Sequence, residues 1–119
     1  MKIKINIGVK TLSATLADNP TARDFASILP FDVTMKYLFG REKYGDLPKA
    51  LPENGPRKSS YEVGEIAYRS LANQFAVYYY HQDGESIRSP GITPIGKIDT
   101  GTGTFNVPGS VKVAIELAE

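Results

Sequence analysis

LADNPTARDFASILP, Leu16 to Pro30, is the one stretch of this chain with a helical period. Asn19 is a good N-cap, because its side chain can accept from a free backbone N–H of the first turn. Pro20 follows at the first helical position, where its missing N–H costs nothing and its φ is already set. Ala22, Phe25, Ala26 and Leu29 recur at i, i+3, i+4 and i+7 and form one apolar stripe, and Pro30 stops the run. The spacing predicts a helix over Pro20 to Leu29, about three turns long. A helix this short with one apolar face must lie across an apolar surface, so the rest of the chain has to supply one.

On both sides the period is two. Ile3, Ile5 and Ile7 alternate with Lys2, Lys4 and Asn6, and Leu12, Ala14 and Leu16 alternate after the turn at Gly8 to Lys10, which predicts a first hairpin. Val33, Met35, Tyr37 and Phe39 define a third strand. Gly40 to Ser60, containing LPKALPENGPRKSS, reads as a long surface loop. Strands resume with Glu65 to Tyr68 and with Gln74 to Tyr80, the latter dense in aromatic and β-branched residues and therefore the best central strand. Gln82 to Glu85 is turn-like. Ile92 to Ile98 is a short strand pair or bend broken by Pro94 and Gly96, and Val111, Val113, Ile115 and Leu117 alternate to the end. Seven or eight short strands and one short helix in 119 residues imply an all-β fold. A closed or nearly closed barrel with the helix plugging one end is the arrangement that buries both faces, in a single domain spanning 1–119.

Composition bounds the function. Fourteen Lys and Arg against thirteen Asp and Glu leave a net charge of +1, so no nucleic-acid or anionic-membrane partner is expected from the overall field. No run is long and apolar enough to span a bilayer, and the start has no signal-peptide pattern. With no cysteine there is neither a disulfide framework nor a thiolate metal site, which suits the cytoplasm. His81 is the only histidine. It reads as structural or as a surface residue, against a ligand-contacting role at the end of the central strand. No metal site and no cofactor are expected. Glu62, Glu65 and Asp83 have no spacing that specifies an acid and base pair.

Ile98-Asp99-Thr100-Gly101 matches the hydrophobic-Asp-Thr-Gly signature of aspartic proteases. Only eighteen residues follow Gly101, too few for the elements that cover the substrate there, so Asp99 is read as a turn residue. Gly101-Thr102-Gly103 lacks the following helix that a phosphate loop requires.

Several segments in order carry a family resemblance. Ala17 to Phe25 resembles the second strand and first helix of cyclophilins, with an Asp, a Pro-x-Thr-Ala and a Phe at comparable spacing. Gly64 to Tyr68 with Asn73-Gln74-Phe75 is similar to the cyclophilin strand pair ending in Ser-Gln-Phe-Phe, and Ile95 to Ile98 resembles Phe-Gly-Lys-Val. Lys112 to Leu117 resembles the last strand. The set GEIAY, PIGKI and NPTARDFASILPF looks like a small bacterial family of cyclophilin-like barrels whose function is largely unassigned. The resemblance implies an eight-stranded barrel with the capped helix closing one mouth.

Cyclophilins that isomerise prolyl bonds carry a Phe-His-Arg strand and a Gln-Gly-Gly-Asp run, both absent here. The groove His of that family falls on Ile92. Without the Arg that polarises the imide, efficient isomerase activity is not expected. The expected function is therefore a binding module for a small molecule or a Pro-containing peptide. Its groove would be floored by Gln74, Phe75, Tyr78 and Tyr80 and rimmed by the solvated loop Arg41 to Tyr44. The alternative is a weak peptidyl-prolyl cis-trans isomerase in which Arg41 reaches the groove.

Overall fold

The computed structural model describes residues 1–38, 40–51, 57–80 and 91–118. The first hairpin is β1 (Lys2–Ile7) and β2 (Lys10–Leu16), joined at Gly8, whose φ of +60° no β-branched residue would adopt readily. The helix α1 (Pro20–Ser27) then leads into β3 (Phe31–Leu38) and β4 (Glu42–Asp46). The remaining strands are β5 (Glu65–Arg69), β6 (Gln74–Tyr78), β7 (Thr93–Ile98) and β8 (Val111–Leu117). They close a barrel in the order β1-β2-β7-β5-β6-β4-β3-β8, every pairing antiparallel. Closure leaves no sheet edge exposed.

The interior follows the period-2 reading. Ile3, Ile5, Leu12, Ala14 and Leu16 of the hairpin, Val113 and Ile115 of β8, and Phe75 and Val77 of β6 all point inward and are buried. The capped helix forms as its sequence requires, with Asn19 Oδ1 accepting from the Ala22 N–H at 2.8 Å and Asn19 Nδ2 donating to the Pro94 carbonyl at 2.9 Å. Helical structure ends at Ser27, short of Leu29, which packs half-buried on the core. Phe25 is fully buried and sits in a three-ring cluster, 5.9 Å from Phe31 and 5.8 Å from Phe75 between centroids. The first mouth is therefore plugged by Phe25.

The second mouth has its own plug, which no sequence period announced. A single 3-10 turn, Thr102–Phe105, carries Phe105 into the core with no exposed surface. Beside it Lys43 is also fully buried, an inward-facing residue of β4. Its Nζ donates to the carbonyls of Val107 and Gly109 at 2.7 and 2.6 Å, tying down the segment that crosses the mouth. The rings of Tyr37 and Tyr79 lie 5.7 and 5.9 Å from the ammonium.

Four expectations are corrected. Gly40 to Ser60 is not all loop: Glu42–Asp46 is the strand that joins β3 to β6. The Arg41 to Tyr44 cluster is not solvated, since Arg41, Glu42 and Lys43 are buried and Tyr44 is half-buried. The inward positions of β4 carry Lys43 and Gly45, so the apolar alternation that marks a strand is missing. Gly45 is needed there because a Cβ would come within 2.7 Å of Val33 Cγ2. Ile92 to Ile98 is not broken either: Pro94 and Gly96 lie within one strand, paired to β5 across a register irregularity. Tyr37 is 58% exposed and does not join Met35 inside. Phe39, His81, the Gln82 to Glu85 turn and Asp83 lie outside the described residues.

Candidate site on the outer face of three strands

The sequence-expected site residues divide between the two faces of β6, because successive side chains of a strand point to opposite sides. Phe75 faces the barrel interior and belongs to the three-ring cluster, so it cannot share a floor with Tyr78. Gln74, Ala76 and Tyr78 face outward, opposite Asp46, Tyr44 and Glu42 of β4. On the other side Ala76 pairs with Ala67 and Gln74 with Arg69 of β5. Ala67 and Ala76 make a low floor between larger side chains.

Around that floor Tyr61 stacks on Tyr78, with centroids 4.4 Å apart and planes within 21°. The segment carrying Tyr61 is held over the sheet by the paired backbones of Lys58 and Ile92, and Ile92 completes this second apolar cluster. Tyr61 Oη donates to the Tyr80 carbonyl at 3.2 Å. Tyr80 itself is 54% exposed, and Gln74 Nε2 donates to Asp46 Oδ1 at 2.9 Å on the surface.

The charged groups are arranged around Glu42, whose residue exposure is only 1%. Arg41 Nε reaches its Oε1 at 3.0 Å and Arg69 Nη1 its Oε2 at 2.8 Å. A carboxylate this deeply buried requires such charge-assisted bonds, since they replace the hydration it has lost. Arg41 lies over the Tyr61 ring at 5.6 Å and Arg69 over the Tyr44 ring at 5.5 Å. Burial, helped by the Glu42 carboxylate, pushes the Tyr78 phenol far above its ordinary range, so it remains a hydrogen-bond donor at any physiological pH. Lys58 pairs with Glu65 at 2.8 Å on the flank.

The structure thus brings Arg41, Tyr44 and Tyr78 together, with Gln74 and Tyr80 at the edges, and leaves Phe75 on the far side of the sheet. Tyr61 and Arg69 were not anticipated, and Glu42 was expected only as part of a solvated rim. Glu42 pairs with Tyr78 across β4 and β6, a relationship that becomes visible only once β4 is recognised as a strand. Among the described residues, no group of three or more His, Cys, Asp or Glu could hold a metal ion, and no helix is long and apolar enough to cross a membrane.

A closed eight-stranded antiparallel barrel, plugged by one short capped helix and carrying its polar cluster on an outer sheet face, defines the class. The cyclophilin-like family model matches residues 5–116, and the chain belongs to that family. The solution structure of the hypothetical protein AF2241 from Archaeoglobus fulgidus is similar to it, with a TM-score of 0.78 and 20% identity over 99% of this chain and 95% of that one. At that identity the likeness shows the fold alone. No curated protein matches the chain.

Proposed function

We propose that this barrel is a binding module that takes a small molecule or a Pro-containing peptide on the outer face of β4, β6 and β5. The observation that carries the reading is the state of Arg69. Its guanidinium is held by Glu42 on one side and by the Tyr44 ring on another, yet the side chain remains 30% exposed. A donor held in place before the ligand arrives loses little freedom on binding, which favours affinity. A carbonyl or carboxylate of the ligand would accept from Arg69, and an apolar ring such as a prolyl ring would pack against the exposed Tyr80 and half-buried Tyr44.

The same geometry supports the weak isomerase as the second reading, with one change. Arg41 is buried against Glu42, so Arg69 rather than Arg41 is the guanidinium presented at the surface. One experiment separates the two. A prolyl tetrapeptide and its Ala-for-Pro counterpart are titrated into the labelled chain, and cis-trans exchange of the prolyl peptide is measured alongside. The binding module predicts saturable amide shifts at Tyr44, Arg69, Ala76 and Tyr78, at least tenfold weaker binding in Arg69→Met, weakened binding in Gln74→Ala and exchange at background. Accelerated exchange, reduced about 10²- to 10³-fold by Arg69→Met, would establish the isomerase instead. Absence of any shift on this face, from the peptides and from a fragment library alike, would overturn both.

A further inference from the structure

Away from that face, the outer side of β1, β8 and β3 carries a hollow of about 460 Å³. The strand register explains it. Asn6, Ala114 and Asp32 form one row across the three strands, and Lys112 and Thr34 form the next, with Gly8 at its end. Ala114 and Gly8 contribute almost no side chain, so the rows are low at those two points and high at Asn6, Asp32, Thr34 and Lys112. With strands about 5 Å apart and same-face neighbours about 7 Å apart along a strand, the hollow has the footprint of a small metabolite.

The chemistry around it is uncompensated. Asp32 and Lys112 are diagonal neighbours on adjacent strands, about 7–8 Å apart at the backbone, and both are exposed. Neither makes an ion pair among the described residues, with each other or with anything else, whereas the strand acids Glu42 and Glu65 are paired. Thr11 Oγ1 donates to Asn6 Oδ1 at 2.8 Å, which orients that carboxamide and leaves its NH2 group to donate.

We propose that this hollow binds the zwitterionic main chain of a free amino acid, its ammonium on Asp32, its carboxylate between Lys112 and the Asn6 NH2, and its side chain over Ala114 and Gly8. An anion would leave Asp32 uncompensated and repelled, and a cation would do the same to Lys112. A ligand with both charges on one carbon spans the diagonal with an ion pair at each end, near the usual length of about 2.8 Å. Thr34 stands beside Lys112 as an additional hydroxyl partner for the carboxylate.

The test uses the full chain, labelled with ¹⁵N, titrated with the twenty common L-amino acids. For any that bind, the N-acetyl derivative, which lacks the ammonium, and the carboxamide, which lacks the carboxylate, are titrated too. The expected result is saturable shifts at Asn6, Asp32, Lys112 and Ala114 for one or more amino acids, with binding at least tenfold weaker for both blocked forms. Asp32→Asn and Lys112→Gln should each weaken binding at least tenfold with melting unchanged, since both side chains lie on the surface. Ala114→Leu should abolish it by filling the hollow. The proposal is overturned if no amino acid shifts these residues, if the blocked forms bind as well as the free ones, or if the shifts fall on the Arg69 face.

Discussion

Arg69 Nη1 lies 2.8 Å from Oε2 of Glu42, joining a partly exposed guanidinium of the candidate site to its most buried charge. The pair fixes the guanidinium in a single orientation, and the guanidinium in turn replaces hydrogen bonds to water that the buried carboxylate has lost. Removing the acid leaves the Arg69 guanidinium without its ion-pair partner and takes the charge from the Arg41 bond. Glu42→Gln should therefore cost about 3 kcal/mol in urea unfolding, at the low end for a broken buried pair because Arg69 keeps some contact with water. A loss under about 1 kcal/mol would show that the carboxylate is dispensable to the packing.

Phe25 ties the helix to the barrel through Phe31 and Phe75. Phe25→Ala removes one ring of three from a fully buried position and should cost about 3–5 kcal/mol by denaturant unfolding. If instead stability falls by less than about 1 kcal/mol, the helix is not docked through this ring.

Lys43 predicts a pH signature. Burial lowers its folded-state pKa below the ordinary lysine value, so in the window between the two the unfolded chain binds more protons than the folded one. Stability from this residue accordingly rises with pH through that window and falls away as pH drops through the folded-state value. The stability difference between the native chain and Lys43→Met should shift in favour of the native chain as pH rises toward the ordinary lysine range. Amide exchange at Val107 and Gly109 should also be faster in Lys43→Met, because the two hydrogen bonds that hold the crossing segment are lost. Unchanged exchange there would mean the segment is held by other contacts.

Asp99 directly follows β7 on the outer wall, where it accepts from Lys2 Nζ and Thr15 Oγ1 at 2.7 Å and from Ser13 Oγ at 2.9 Å. The bond from Lys2, then that from Thr15, holds its carboxyl below the usual carboxylate range. That contribution is fully present above the unfolded-state pKa and is lost as pH falls through the folded-state value. Native chain and Asp99→Asn should therefore differ in melting temperature at neutral pH and converge at the acid end. The substitution should leave peptide binding intact and no peptidase activity should be found in either chain, as befits a residue at a strand end.

What the sequence determined by itself was whatever depends on local periodicity. Alternating apolar residues marked β1, β2, β3 and β8, a run dense in aromatic and β-branched residues marked β6, and Asn19-Pro20 with the Phe25 stripe marked the plugging helix, because capping and patterning act between residues a few positions apart. The segments resembling cyclophilins placed those elements in a barrel. The candidate site was legible only in fragments. A groove floored by both Phe75 and Tyr78 contradicted the period of two that marks their strand, because residues three apart point to opposite faces. Tertiary structure decided what pairs across the chain. Glu42–Asp46 is a strand because β3 and β6 need a neighbour to close the ring, and closure satisfies backbone groups whatever side chains they carry. For that reason a lysine and a glycine can occupy its inward positions. Glu42 finds Arg69 twenty-seven residues away, and Asp32 comes to lie beside Lys112, only through register. Register is set by the packing of the whole barrel, so long-range charge pairing of this kind leaves no trace in the spacing of the residues along the chain.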